Sequence, residues 1–252
     1  MGYSEIDKYA IQIYEKHFDH KNYGDITKIN PEDLPDFELF VGGFPCQAFS
    51  IAGKRGGFND TRGTLFFDIA RILATKRPKL FLLENVKGLL SHDGGRTFGT
   101  ILATIDELGY DSQWQVLNSK SFGIPQNRER IYIVGHLRGE RRPEVFPIGE
   151  SDQISHGSLK IIRNSIYDTD RLYSPGGVAR TMRANAGGKG AKTGLYQMKK
   201  DDMIRRLTPT ECERLMGFPD GWTSGMSDSQ RYKMLGNAVI SNVVAEIVKR
   251  LI

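Results

Sequence analysis

The chain alternates short apolar runs with amphipathic stretches. Residues 5–18 place Ile6, Ala10, Ile13 and Tyr14 at helical spacing and predict a short helix. Leu39–Val41 and Leu80–Leu83 are compact apolar runs that predict buried strands, with a helix over residues 65–75 between them. Phe98, Ile101, Leu102, Ile105 and Leu108 form one apolar helical face, and Gly109 ends that helix. Two more strands follow, over 113–117 and 130–135. Strands alternating with helices predict an α/β fold with a largely parallel, doubly wound sheet.

After Arg138 the texture changes. Residues 139–200 are rich in Gly, Ser, Asp, Arg and Lys and carry weak periodicity, which predicts a loop-dominated module. Thr208-Pro209-Thr210-Glu211 then opens a helix: Thr caps, Pro takes the first helical position and Glu closes a capping box. A last helix follows Gly236-Asn237, with Ile240, Val243, Val244, Ile247 and Leu251 on one face, and is expected to pack back on the first domain. The expected division is therefore one domain from 1–138 plus 226–252 and a smaller one over 139–225.

Composition narrows the classes. The 252 residues suffice for one large α/β domain or two modest ones. Two cysteines, Cys46 and Cys212, exclude a disulfide scaffold and a Cys-rich zinc site and suit a reducing cytosol. No segment approaches the roughly 20 apolar residues of a membrane span, and no basic-then-apolar leader opens the chain. The five histidines are scattered without paired spacing, so no metal is expected. A net charge of +5 is a mild bias toward polyanions. Its lysines and arginines cluster at 138–142, 180–192 and 199–206, which a solvated loop surface would also explain.

Candidate chemistry starts at Pro45-Cys46-Gln47, just past the run Phe37–Phe44. A thiol at a strand end of an open α/β sheet lies where ligands bind and could act as a nucleophile. A lone cysteine is more often a small buried hydrophobe. Four further segments accompany it: Leu83-Glu84-Asn85-Val86; Pro125-Gln126-Asn127-Arg128-Glu129-Arg130; Arg206-Leu207-Thr208-Pro209 with Gly217-Phe218-Pro219-Asp220; and Leu235-Gly236-Asn237-Ala238-Val239. Singly, each has a bland reading as a capped acid or a plain turn.

In this order and spacing they resemble the bacterial DNA (cytosine-5)-methyltransferases, and the HhaI-like enzymes of restriction–modification systems most of all. The resemblance rests on Gly43-Phe-Pro-Cys-Gln-Ala-Phe-Ser50, on Gly57-Phe-Asn-Asp-Thr-Arg-Gly-Thr-Leu-Phe-Phe-Asp68, on Glu84-Asn-Val86 and on Gln126-Asn-Arg-Glu-Arg-Ile-Tyr132. It covers nearly all of the chain except about 139–170. It implies a Rossmann-like, doubly wound mixed sheet, the fold of S-adenosylmethionine-dependent methyltransferases, with a small target-recognition domain. It also implies methyl transfer from S-adenosylmethionine to C5 of a cytosine flipped out of double-stranded DNA, in a soluble cytoplasmic protein of a bacterium or phage.

Residue by residue, the resemblance makes Cys46 the nucleophile on C6 and Glu84 the partner of the cytosine N3 and amino group. Arg130 becomes the contact to O2, with Arg128 in support. Glu5 would bind ribose hydroxyls, Ile6 would pack on the adenine, and Asp25 and Ile26 match adenine-edge contacts. Pro45, Leu65, Asn237 and Val239 match positions that line the cofactor pocket. Gln47 and Ser50 fall on the DNA-facing loop, which runs from Gln47 to Phe58, and Arg62, just beyond it, is a further DNA-binding candidate by the resemblance. Thr181 matches a phosphate contact, and Arg171, Arg183 and Asn185 fall where base readers would sit; Arg suits guanine and Asn adenine.

One departure stands out. The family begins with a strand and a Phe-x-Gly-x-Gly turn around the methionine part of the cofactor, and no such motif precedes Glu5. Three readings stay open: a truncated sequence, a second polypeptide that supplies the turn, or an inactive remnant that binds DNA without catalysis. Apart from such a partner, a monomer is expected.

Overall fold

The computed structural model describes residues 1–45, 65–141, 143–149, 158–167, 170–184, 192–198 and 203–252. The chain opens with strand β1 (Gly2–Tyr3), helix α1 (Lys8–His17) and strand β2 (Lys21–Asn22). Helix α1 starts later than the apolar spacing predicts because Asp7 is its cap: the carboxylate accepts from the backbone N–H of Tyr9 at 3.0 Å and of Ala10 at 3.4 Å. β1 and β2 pair in parallel as a separate two-stranded ribbon.

Strand β3 (Leu39–Gly43), helix α2 (Leu65–Lys76), strand β4 (Leu80–Val86), helix α3 (Arg96–Glu107) and strand β5 (Tyr110–Asn118) follow, all near their predicted places. The short strand β6 (Gln126–Asn127) leads into β7 (Glu129–Leu137). The main sheet runs β3-β4-β7-β5. It is mixed rather than largely parallel: β3 and β4 are parallel, while β7 is antiparallel to both β4 and β5. Strand–helix alternation predicts parallel neighbours, and it does so for β3–α2–β4. Between β5 and β7 only a short 3₁₀ turn, Ser119–Phe122, and β6 intervene, so the chain returns as an antiparallel neighbour.

The strands are apolar on consecutive residues because both faces are covered. Phe81, Leu83, Ile131 and Ile133 point to one side, against Phe66, Ile69 and Leu73 of α2 and Ile101 and Ile105 of α3. Leu82, Tyr132 and Val134 point to the other, in a cluster with Val145, Tyr173, Met182, Cys212 and Leu215. Val243, Ile247 and Leu251 of the last helix, α6 (Ser241–Leu251), complete it, as the apolar face of that helix predicts.

In the intervening region, β8 (Ile161–Arg163), β9 (Leu172–Tyr173), β11 (Leu195–Gln197) and β12 (Ile204–Arg205) form a small sheet, and β10 (Ala179–Arg180) pairs instead with β6. Helix α4 (Pro209–Leu215) carries the predicted capping box. Gly236-Asn237 is not a free turn: both residues belong to α5 (Asp228–Asn237), whose polar composition hides its helical period.

Candidate active site

Glu84 stands where the apolar core of β4 ends. β4 and β7 pair Glu84 with Tyr132 and Val86 with Arg130, so Arg130 lies diagonally across from the carboxylate. Its Nε reaches Glu84 Oε1 at 2.9 Å, with the two side chains 15% and 17% exposed. Burial pushes the Glu84 carboxyl above the ordinary carboxylate range, against the opposing pull of Arg130 and Arg128. Burial and then the Glu84 charge push the Tyr132 phenol well up, which keeps it neutral. In the parallel register Gly43 sits beside Glu84, and a Cβ there would stand 3.4 Å from Oε2, in van der Waals contact with the carboxylate.

Asn85 is a site residue that the sequence named only as part of a motif. It is buried, donates from Nδ2 to the Phe44 carbonyl at 2.8 Å and accepts from the Val86 N–H at 2.8 Å. The end of β4 thereby fixes the chain as it leaves β3 toward Pro45. A polar residue inside a buried apolar run was the available signal. Cys46, Gln47, Ser50, Arg62 and Asn185 lie outside the described residues. The other cysteine, Cys212, is fully buried, and burial pushes its thiol up to about 12, as fits a small core hydrophobe.

Alternation along 126–130 sends Gln126 and Arg128 inward and exposes Asn127 and Glu129. Gln126 Nε2 donates to the Leu215 carbonyl at 2.9 Å, and its Oε1 accepts from the Met182 N–H at 3.4 Å. Arg128 is 3% exposed and donates to three carbonyls: Met182 at 3.4 Å, Gly236 at 3.2 Å and Ala238 at 2.9 Å. Burial, and then the nearby Arg130 charge, pulls its guanidinium down to about 10. Its bonds run to backbone carbonyls, and it stands close enough to Glu84 to act on that carboxylate through its charge.

Several of the cofactor candidates are drawn together by a few ties. Asn22 Oδ1 accepts from the N–H of Glu5 at 3.2 Å and of Gly24 at 2.9 Å, and its Nδ2 donates to the Glu5 carbonyl at 3.1 Å. Asn22, which the sequence did not single out, therefore sets Glu5-Ile6 beside Gly24-Asp25-Ile26. Lys233 reaches Asp7 at 2.6 Å and draws α5, with Asn237 at its end, toward Glu5. Arg71 of α2 donates to the carbonyls of Ile26 at 2.9 Å and Ile29 at 2.5 Å, which links 25–29 to the helix that Leu65 opens. Glu5 Oε1 accepts from the N–H groups of Ile6 and Asp7, and Asp25 caps the turn at Thr27. Ile6 and Val239 are 72% and 37% exposed, and Pro45 and Asn237 are also at the surface.

Among the recognition candidates, Thr181 donates its hydroxyl to the Asn127 carbonyl. The Arg183 N–H bonds the Lys192 carbonyl at 3.0 Å, and Arg171 Nε donates to the Ser165 carbonyl at 3.3 Å. Among the described residues, no group of three or more His, Cys, Asp or Glu gathers as a metal site, and no helix is long and apolar enough to cross a membrane.

Comparison with known proteins shows the family and the fold. The chain is 40% identical over 278 residues to the type II methyltransferase M.HhaI of Haemophilus parahaemolyticus, covering 97% of this chain and 84% of that protein. It is 41% identical to M1.ScrFI of Lactococcus lactis subsp. cremoris, over 99% of this chain and 71% of the relative. The fold matches the crystal structure of a Spodoptera frugiperda DNMT2 mutant with a TM-score of 0.74 at 20% identity, covering 99% and 91% of the two chains. A family of C-5 cytosine-specific DNA methylases matches residues 1–156 and 144–252, and to that family the chain belongs.

Proposed function

We propose that the chain methylates C5 of a cytosine flipped out of a short, specific site in double-stranded DNA, through a covalent bond between Cys46 and C6. The observation that carries this reading is the desolvated Glu84 carboxylate, held by Arg130 beside the strand end that leads to Pro45.

Membership of the family implies S-adenosylmethionine as cosubstrate. Its sulfonium supplies an electrophilic methyl group. The chain's residues fit such a molecule: Ile6 and Val239 offer uncovered apolar side chains to a planar ring, and Glu5, Asp25 and Asn237 offer polar groups in the same neighbourhood. In the proposed chemistry, Glu84 holds the proton that passes toward N3 as the Cys46 thiolate bonds to C6. Arg130 faces O2 and balances the negative charge that develops on the ring. The electron pair raised at C5 would take the methyl group as its bond to the sulfonium sulfur breaks, leaving S-adenosylhomocysteine. Loss of the C5 proton to solvent and return of the N3 proton to Glu84 would then expel Cys46 as its thiolate and restore the ring. Glu84 suits its role because burial lets it keep a proton nearer neutrality than an exposed carboxylate does. Flipping costs a few kcal/mol, which contacts from Gln47, Ser50, Arg62, Arg171, Thr181, Arg183 and Asn185 would offset.

A second reading is favoured by the edge of the sheet. Among the described residues β3 is hydrogen-bonded on one side only, to β4, and Val41 on it is 56% exposed. An open edge of this kind accepts a strand. This supports completion by a further segment that carries the Phe-x-Gly-x-Gly turn, either from a second polypeptide or joined to the chain. Without it, the chain would bind DNA and not methylate it.

Incubation with labelled S-adenosylmethionine and mixed-sequence duplex DNA tests both readings. Transfer is expected from the chain or from a version preceded by that strand, and no transfer by the completed version overturns the first reading. DNA containing 5-fluorocytosine should trap the active form covalently, and Cys46→Ser should abolish trapping.

A further inference from the structure

Three carbonyls converge on Arg128 from two places far apart in sequence. One, at Met182, belongs to the segment that carries Thr181 and Arg183; two, at Gly236 and Ala238, flank Asn237. The same two segments also touch directly. A Cβ built on Gly236 would stand 2.4 Å from the Ala184 nitrogen and 2.7 Å from the Arg183 carbonyl carbon, backbone atoms that no side-chain rotation can move aside. The arginine is almost wholly buried, and its Nε has no hydrogen-bond partner. An apolar side chain in its place would leave these three carbonyls without a donor, so the guanidinium fixes where both segments sit.

We infer that Arg128 is a positioning residue that couples the cofactor-side end of α5, residues 236–238, to the DNA-reading segment 181–184. One planar fork holds both segments, so a change in one segment alters the bond geometry of the other. Lysine would keep the charge, but its single ammonium cannot reproduce the fork. The inference rests on the proposed function and assigns Arg128 the task of linking the two ligand sites.

Coupling between sites is a free energy that must be measured, because proximity alone does not demonstrate it. Amide hydrogen exchange at 181–184 is measured with and without saturating S-adenosylhomocysteine, and binding of that ligand is followed in the same samples by calorimetry. In the parent chain the ligand should slow exchange at Met182 and Arg183 at least about fivefold, the low end of typical coupling. Neither amide bonds to Arg128 itself: they bond the Gln126 side chain and the Lys192 carbonyl. In Arg128→Lys the ligand should leave exchange there unchanged within about twofold. A purely structural role would speed exchange equally with and without ligand and preserve their ratio, which overturns the inference. Gly236→Ala, which forces the segments apart and leaves Arg128 in place, should also lose the effect and serves if Arg128→Lys does not fold. If the parent binds the ligand without slowing exchange at 181–184, only the coupling fails. If the parent binds no ligand even when preceded by the Phe-x-Gly-x-Gly strand, the functional reading fails and the coupling falls with it.

Discussion

Arg130 Nε sits 2.9 Å from Glu84 Oε1, across two antiparallel strands whose register places the residues two positions apart. The pair combines two opposed effects. Burial favours the neutral acid, the arginine favours the carboxylate, and burial prevails.

Glu84→Gln removes the transferable proton and keeps the side chain's shape. Methyl transfer should fall roughly 100- to 10,000-fold, the range for loss of a general acid, while DNA affinity changes little. The raised pKa also has a sign in stability. The folded chain holds a proton that the unfolded chain has already released, so Glu84 costs stability as pH rises from the ordinary carboxylate range through its folded pKa. Denaturant midpoints against pH should fall over that window in the parent relative to Glu84→Gln. Parallel curves would show that Glu84 titrates like an exposed acid.

Asn85→Ala should cost about 1–3 kcal/mol, because the Phe44 carbonyl and the Val86 N–H lose their partner in a buried place. Urea unfolding measures the loss. If transfer falls by more than the loss of folded protein explains, Asn85 also sets the geometry of the chain leading to Cys46.

Much of this was legible because it is local. The strands at Leu39 and Leu80, the helix with Phe98, Ile101 and Ile105 on one face, and the Thr208–Glu211 capping box each depend on residues within one or two turns of each other. The catalytic candidates came from motifs, and the structure brings Glu84 and Arg130 together. What escaped depends on distance along the chain. Arg128 finds its carbonyls 54 to 110 residues away, and Asn22 acts on Glu5 across a helix. Pairing direction escaped the apolar pattern, since β5 and β7 have the same texture whether parallel or antiparallel, and the mixed sheet came only from the family resemblance. Helix α5 was hidden because seven polar or glycine positions crowd its ten residues, Asp228–Asn237.

The acid limb of stability should depend on Arg205 and Glu211. Two guanidinium nitrogens bond the two carboxylate oxygens at 2.8 Å, and the Thr208 N–H donates to the same carboxylate at 2.7 Å. The Arg205 hydrogen bonds, with those from Thr208, hold the Glu211 carboxyl down at about 2. A depressed carboxylate pKa adds stability that is present above the unfolded value and is lost as pH falls toward about 2. Glu211→Gln should therefore lower the melting temperature at neutral pH and converge with the parent in strong acid. A constant offset across that range would assign the effect to helix capping alone.

Gly135 and Phe81 face each other across β4 and β7, and the ring fills the space a side chain at 135 would need. A Cβ on Gly135 would lie 2.2 Å from two ring carbons of Phe81, which is fully buried and cannot swing out. Gly135→Ala should thus cost about 1–3 kcal/mol by overpacking. Phe81→Leu should by itself cost about 0.5–3 kcal/mol, as core truncations commonly do. The double variant should be more stable than the sum predicts, by about 0.5–3 kcal/mol, because leucine vacates the volume that alanine enters. Urea unfolding of the four proteins completes the cycle. Additive losses would mean that β7 shifts away from β4 to admit the methyl group. That shift would move Arg130 on the same strand away from Glu84, so an additive result should be accompanied by a loss of methyl transfer, and a strongly coupled one should not.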